Sequence, residues 1–348
     1  MQQDQIDRSF QDDLDWCYDA VQDVSRTFAL TIAELEEPMA RDICVGYLLC
    51  RIADTIEDSG RVPPADKRGL LCYYNRVLDP DDDTTVEMFR GAVDPWIPEE
   101  PNSDWEVVAE APRVVATFQR LDDTSKSAIR PPVRELVDGM EMFIDRYEEH
   151  EGLRLRTFDE LEEYCWYAAG TVGTLVTGLL SRNADPSVRD TLQNNARSFA
   201  LLLQLVNVAK DVAVDYEEEN NVYLPQEILD EQELDTEDIA DPENSEAFIP
   251  AIREVVTHAE DYLDDAQTWL EAMPEIRGNT LSAWAIPFLL AVGTIRELKE
   301  RPEDVIEDGD VKVSRSEVHA LMEWFADDDD ASIEALRSKI QRRPLHEH

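Results

Sequence analysis

Two short runs in this chain gather side chains whose types and spacing suit chemistry on a charged ligand. The first is Arg51-Ile-Ala-Asp54-Thr-Ile-Glu57-Asp58. On a helix, positions i, i+3 and i+4 share a face, so Asp54, Glu57 and Asp58 crowd together. Like charges at that spacing destabilise a helix, and the upstream Ile43, Val45, Leu48, Leu49 and Ile52 are apolar. Either a cation sits over the carboxylates, or the helix end surfaces into solvent at Ser59-Gly60. Clustered oxygen donors suit a hard divalent cation, Mg2+ above all. The second run is Gln204-Leu-Val-Asn207-Val-Ala-Lys210-Asp211-Val-Ala-Val-Asp215. Asn207, Asp211 and Asp215 fall at i, i+4 and i+8, a polar stripe about 12 Å long at a rise of ~1.5 Å per residue. Its neighbours from Phe199 to Val214 are mostly apolar. A metal or ligand site and a satisfied buried network are the two readings.

Neither run supplies a histidine, which disfavours a di-iron centre built from Glu-x-x-His pairs. Mg2+ on a few carboxylates usually shares its shell with phosphate, and a diphosphate needs cations as well. Arg26, Arg51 and Lys210 are the cations close to these runs. Ser25-Arg26-Thr27-Phe28 is either a phosphate clamp or an ordinary helix surface. Tyr164-Cys-Trp-Tyr167-Ala-Ala-Gly170-Thr-Val-Gly173 offers small residues that admit a packed helix or a bulky apolar ligand.

Helical periodicity dominates the elements that must position these groups, and hairpin signatures are missing. Helices are predicted over roughly 14–36, 39–58, 64–78, 105–122, 128–149, 158–181, 186–215, 246–273, 279–299, 315–326 and 331–341. Pro63-Pro64, Pro80, Pro95 to Pro101, Pro131-Pro132 and Pro225 read as breakers. The acidic stretch 217–247 reads as a loop within one domain, because Asn221, Tyr223, Leu224 and Pro225 interrupt it. Asp327 to Asp330 reads as a solvated turn.

Composition narrows the function classes. With 78 acidic and 32 basic residues, the 348-residue chain carries a formal charge of −46. A phosphate polymer needs a basic stripe, so nucleic-acid binding is excluded, and an anionic membrane surface is disfavoured. Only six lysines on a chain this acidic suggest a folded protein adapted to high salt, where screening blunts self-repulsion. Five cysteines without a C-x-x-C pair read as buried free thiols in a reducing compartment. Leu281 to Ile295 and Tyr164 to Ser181 read as buried helices, not membrane spans.

Taken in order, these motifs resemble the head-to-head isoprenyl synthases, the squalene and phytoene synthases. The resemblance runs from about Asp13 to Leu321. It rests on Ser25–Phe28, Tyr47-Leu-Leu-Cys-Arg51 with Asp54–Asp58, Gly139-Met-Glu-Met-Phe143, the Tyr164–Gly173 segment, and Asn207-x-x-Lys-Asp211-x-x-x-Asp215. Ala285-Ile-Pro287 and Val311-Lys312-Val313-Ser314-Arg315 resemble the squalene synthase branch, in which a Val-Lys-Ile/Leu-Arg segment helps to hold NADPH. Ser314 stands where that family has Arg, and Arg315 follows one position later.

The resemblance implies a single all-α isoprenoid synthase domain over 1–348: a core of about 13–325, the acidic loop, and a C-terminal extension of about 326–348. Its helices would surround a deep apolar cavity, with the two acidic helices facing each other at the mouth. Phe28, Leu48, Phe143, Val172, Leu175, Val176, Leu203 and Phe288 are candidate walls. The resemblance further implies that Asp54, Glu57, Asp58, Asn207, Asp211 and Asp215 bind Mg2+. Ser25, Arg26, Tyr47, Arg51, Gln204 and Tyr223 would contact prenyl diphosphates, Tyr164 would take part in proton removal, and Lys312 and Arg315 would hold NADPH. The family's Asp-x-x-Glu-Asp motif has Val214 in the Glu position here. The expected activity is condensation of two farnesyl diphosphates to squalene. Phytoene or dehydrosqualene synthesis and a non-catalytic cation-binding protein are the alternatives. A soluble, cytoplasmic monomer is expected, touching a membrane only to release product, since Arg342–His348 adds no apolar helix.

Overall fold

The computed structural model describes residues 2–150, 152–307, 309, 311–327 and 332–348, so most of the expected turn at Asp327–Asp330 lies outside the described residues. In chain order the first helices are α1 (Gln2–Val24), α2 (Arg26–Ala33), α3 (Met39–Glu57), α4 (Pro64–Leu78), α5 (Val86–Val93), α6 (Ser103–Ala109), α7 (Ala111–Gln119) and α8 (Asp123–Arg146). Then come α9 (Phe158–Cys165), α10 (Thr171–Leu180), α11 (Pro186–Lys210), α12 (Val212–Glu219), α13 (Gln226–Glu231), α14 (Ser245–Glu260) and α15 (Leu263–Glu271). The chain finishes with α16 (Leu281–Glu300), α17 (Asp304–Glu307), α18 (Arg315–Asp327) and α19 (Ile333–Ile340). Among the described residues there is no β-strand, only an isolated parallel bridge between Arg154 and Val222. The protein is all-α, as its periodicity predicts.

Several boundaries differ from the sequence expectation. The helix predicted over 14–36 divides at Ser25, whose side chain caps α2. The one predicted over 186–215 divides at Asp211, and the acidic stretch 217–247 contains α13 and two short 3-10 turns. Pro131 and Pro132 do not break the chain but lie inside α8. Each removes an N–H donor from the helix ladder. The face bearing Ile129, Pro132, Val133 and Leu136 is buried, and α8 packs on α3 and α4, which carries the helix past the loss.

Contacts divide the chain into two compact units. The first comprises Met1–Glu148, Thr174–Ala184 and Pro274–Thr280. Its central element is α3, where Ile43, Leu48, Leu49, Ile52, Ala53 and Ile56 are all buried, so apolar positions run around the whole helix. The buried Asp42 at its start is matched by Ser125 Oγ at 2.5 Å and by Arg41 at 2.9 Å. Of the five cysteines, Cys17, Cys44, Cys50 and Cys165 are buried free thiols, whereas Cys72 is exposed. It follows Leu71 on α4, on the side away from the buried Leu71, Tyr74 and Leu78.

The second unit comprises Glu149–Gly173, Asp185–Met273 and Leu281–His348. Here α11 is central, and its Phe199 ring lies 4.2 Å from that of Trp269. A Cβ at Gly173 would sit 2.9 Å from Ala200 Cβ and 3.1 Å from Ala196 O, so at this position the small-residue run serves close helix packing. By length and composition α16 is apolar enough to cross a bilayer, but 78% of its most apolar window is buried, as in a core helix.

Candidate active site

In the first unit, Tyr47, Arg51, Asp54 and Asp58 succeed one another along one side of α3. Ser25 Oγ accepts the Phe28 N–H at 3.2 Å and hydrogen-bonds the Tyr47 hydroxyl. Phe28 stacks on the Tyr47 ring with centroids 4.2 Å apart. The Ser25–Phe28 segment therefore pins the start of α2 to α3, one turn before Arg51. Arg26 is exposed. Arg51 Nε donates to Asp104 Oδ1 at 2.8 Å. Asp104 lies in the first turn of α6, which is capped by the Asn102 oxygen on the Trp105 N–H at 3.0 Å.

Asp54 and Asp58 are half-buried, and Glu57 is buried. Lys67 Nζ donates to the Glu57 carbonyl at 2.5 Å. Burial pushes the Asp54 carboxyl up to about 7; Arg51 opposes the shift, while Asp58 and Asp104 add to it. Burial also raises Asp58, against the pull of its hydrogen bond to Glu57 and of Arg51 and Lys67. Burial pushes the Tyr47 phenol up to about 12. With Glu57 buried and Asp54 and Asp58 half-buried, this helix end is partly shielded from solvent.

In the second unit, α11 delivers a half-buried Gln204 and an exposed Asn207. The backbone leaves helical geometry at Asp211 (φ −103°, ψ 13°). Even so, Asp211 N–H donates to Asn207 O at 3.0 Å and Asp215 N–H to Asp211 O at 2.8 Å, so the three residues stay one turn apart. Lys210 Nζ pairs with the Asp211 carboxylate. Asp211 and Asp215 are half-buried, so the stripe opens toward solvent and is not a core network.

Tyr164, near the end of α9, is followed by a π-helical turn at Trp166–Gly170, a local irregularity that often marks functional sites. Its hydroxyl lies 3.0 Å from that of Tyr223, with the rings 4.8 Å apart. Tyr223 is placed by an extended pairing. Val222 N–H donates to Leu153 O at 2.9 Å, and Gln226 N–H to Leu155 O at 2.8 Å. Asn220 ends α12 in the left-handed region (φ 59°), and its side-chain oxygen accepts from Arg154 at 2.7 Å.

Lys312 and Arg315 are exposed, at the approach to α18. Ser314, in the place of the family's Arg, accepts the Glu317 N–H at 3.2 Å and caps that helix. Of the candidate cavity walls, Leu48, Phe143, Leu175, Val176 and Phe288 are buried, and Phe28, Val172 and Leu203 are half-buried.

Among the described residues, no group of three or more His, Cys, Asp or Glu side chains converges to hold a metal by itself. Mg2+ needs no such group, since it takes one or two carboxylates and completes its shell with water and phosphate. The Asp54–Asp58 pair passes a further test: half-buried like charges whose protons are held by burial gain most from a cation. Lys312 and Arg315 are the right donors for a dinucleotide phosphate.

Asp54 binds its proton more tightly folded than unfolded, where a carboxyl titrates near ~3.9. Its contribution to stability is present at acid pH and is lost as pH rises through about 7. Metal-free protein is expected to lose melting temperature between pH 5 and 8 more steeply than Asp54→Asn protein. Mg2+ is expected to restore more stability at pH 8 than at pH 6. Differential scanning fluorimetry with chelator or Mg2+ checks both; equal slopes for the two proteins count against the assignment.

Asp104 and Lys67 were not legible as site residues. Asp104 is one acid among many in a polar stretch, and its pairing with Arg51 spans 53 positions.

The squalene/phytoene synthase family model matches residues 21–317. A squalene synthase from Mus musculus is 27% identical over 326 residues, covering 92% of this chain and 71% of that protein. One from Schizosaccharomyces pombe is 25% identical over 292 residues, and the match spans 82% of this chain but only 60% of that protein. The solved complex of TcSQS with the ligand BPH1237 superposes with a TM-score of 0.76 at 23% identity, covering 97% of this chain and 99% of that one, and so shares its fold. With the family model matched over most of its length, this chain belongs to the squalene/phytoene synthase family.

Proposed function

We propose that this chain joins two farnesyl diphosphates head to head through presqualene diphosphate and reduces the product to squalene. The observation that carries the reading is the pair of half-buried carboxylates, Asp54 and Asp58, beside Arg51 on an otherwise apolar helix. Such a site wants a cation and tolerates an anion with it. The squalene synthases among the relatives and the Lys312–Arg315 segment favour the squalene branch.

In this reading Arg51, Tyr47, Ser25 and Arg26 contact diphosphate oxygens, as do Gln204 and Tyr223. Asp54, Glu57 and Asp58, and likewise Asn207, Asp211 and Asp215, would hold Mg2+, which when bound supplies Lewis-acid neutralisation of the leaving diphosphate. The allylic cation is attacked by the 2,3 double bond of the second substrate, forming the new carbon–carbon bonds. The proton then lost passes to the Tyr164 oxygen or to released diphosphate, since a neutral phenol with a reference pKa near ~10 is a weak base. Apolar side chains such as Phe28, Val172 and Leu203 exclude the water that would trap a cation. Lys312 and Arg315 would hold NADPH, which supplies the reducing equivalent of the second half. The same reading has a cytoplasmic monomer that meets a membrane only to release product.

Ser314, which caps α18 where the squalene branch has Arg, favours a second reading: a dehydrosqualene or phytoene synthase without reductant. Mass spectrometry of products from farnesyl and geranylgeranyl diphosphates, with Mg2+ in multimolar salt, separates them. Squalene formed only with NADPH is expected. A C40 product, or a C30 product unaffected by NADPH, contradicts the reading.

A further inference from the structure

With Ser314 in the place of the family's Arg, the approach to α18 has lost one cation. The segment that follows α19 packs directly against this approach. A Cβ at Gly293 of α16 would meet Val313 Cγ1 at 2.5 Å and Ile340 Cγ2 at 3.5 Å, so Val313 and Ile340 share one bare spot on that helix. Leu345 is buried, and its N–H donates at 3.1 Å to Oε1 of Glu317, in the first turn of α18. Two arginines fix the backbones on either side. Arg301 donates to Lys312 O at 3.3 Å, and Arg296 to Ile340 O at 2.7 Å. Lys339 Nζ lies 4.3 Å from the centre of the Trp324 ring on α18. All of these residues belong to the second unit.

The packing buries Leu345 and leaves the cations around it outside. Lys312 and Arg315 are exposed on one segment, and Arg342, Arg343 and His346 on the other. The Arg343 side chain uses Nε on His348 Nδ1 at 3.4 Å. Arg337 points elsewhere, to Asp264 on α15 at 2.8 Å. From Lys339 to His348 the sequence has three Lys or Arg and a single acid, Glu347, in a chain with 78 acids to 32 bases. The local balance of charge is thus reversed where Lys312 and Arg315 stand.

We propose that Arg342 and Arg343 complete the reductant site begun by Lys312 and Arg315, binding the 2′-phosphate by which NADPH differs from NADH. They supply the cation lost at Ser314 from a different part of the chain. The assignment rests on the proposed reduction to squalene and goes further by naming the groups that select the reductant. A guanidinium suits the task, because its planar fork binds phosphate bidentately. Such contacts act at hydrogen-bond range, where salt screens less than it does across a Debye length.

Binding is read without turnover, by calorimetry with 2′,5′-ADP and with 5′-AMP, which lacks the 2′-phosphate. Wild type is expected to bind 2′,5′-ADP more tightly than 5′-AMP. In Arg342→Gln/Arg343→Gln the affinity for 2′,5′-ADP is expected to fall roughly tenfold or more, the loss of a hydrogen bond to a charged group. The affinity for 5′-AMP is expected to hold, and the melting temperature to stay close to wild type, since both side chains are exposed. Arg342→Lys/Arg343→Lys, which keeps the charge and loses the fork, is expected to fall in between. Lys312→Gln is expected to weaken both nucleotides. Unchanged 2′,5′-ADP binding in the Gln double variant, an equal loss of both nucleotides there, or no binding by wild type overturns the inference. If wild type makes squalene only with NADPH while the double variant binds 2′,5′-ADP normally, the inference falls alone. If the double variant loses 2′,5′-ADP while wild type makes a C30 product indifferent to NADPH, the nucleotide site stands and the proposed function falls.

Discussion

Asp54→Asn is expected to lower turnover of farnesyl diphosphate by roughly 10²–10³-fold, the usual cost of removing one electrostatic partner from a reacting centre, and Asp211→Asn to do the same. The substitution is nearly isosteric, so packing around α3 is kept. At neutral pH the variant is also expected to be more stable than metal-free wild type. Asp54 holds a charge that burial disfavours and that Asp58 and Asp104 repel, and the amide removes both penalties. A loss of activity with a gain in melting temperature cannot come from misfolding. The Asp211 case differs in one respect: Lys210 pairs with that carboxylate, so its removal breaks an ion pair and no stability gain is expected. Steady-state kinetics over a Mg2+ series, paired with thermal melts, checks both variants. Near-normal turnover in both supports the non-catalytic cation-binding reading instead.

The largest effect on stability is expected far from these carboxylates, at Arg296 on α16. Its guanidinium forks onto Glu317 of α18, with NH1 at 3.0 Å from Oε1 and NH2 at 2.8 Å from Oε2. It also donates to Ile340 O at 2.7 Å and to Glu297 at 2.7 Å. Glu317 Oε1 in turn accepts the Leu345 N–H at 3.1 Å. Both side chains are only 3% exposed. The pair therefore ties α16, α18 and the segment after α19 together inside the second unit. Arg296→Leu leaves Glu317 buried without its main partner, which costs about 3–5 kcal/mol. For a chain of this size that is a drop of roughly 4–7 °C in melting temperature. Arg296→Leu combined with Glu317→Leu is expected to be less destabilised than Arg296→Leu alone, because no lone charge remains. Thermal or urea unfolding of the two singles and the double decides; strict additivity contradicts a coupled buried pair.

How much of this was legible in the sequence depends on the range over which each contact acts. The helical stretches α3 and α4 could be read directly, since apolar periodicity and the flanking Pro63-Pro64 act within a few residues. The stripe Asn207–Asp211–Asp215 was legible for the same reason, although the break at Asp211 was not, because no Pro or Gly marks it. Pro131-Pro132 misled, since its effect on α8 is decided by packing against α3 and α4 and not by local propensity. Long-range partners were invisible. Nothing near Asp104 announces Arg51, and nothing near Arg296 announces Glu317. Asn221 was conspicuous only as a polar interruption of an acidic stretch, and its partner Leu153 lies 68 positions away.

The central claim is that two carboxylate-bearing segments draw diphosphate from an allylic substrate and so join two prenyl chains. Release of inorganic diphosphate from farnesyl diphosphate, counted against product formed, tests it most directly. With Mg2+ and NADPH the expected count is two diphosphates per squalene. Without NADPH it is one per presqualene diphosphate, and with chelator the release stops. Release that continues in chelator, or Mg2+-dependent release that yields only farnesol, would contradict the account.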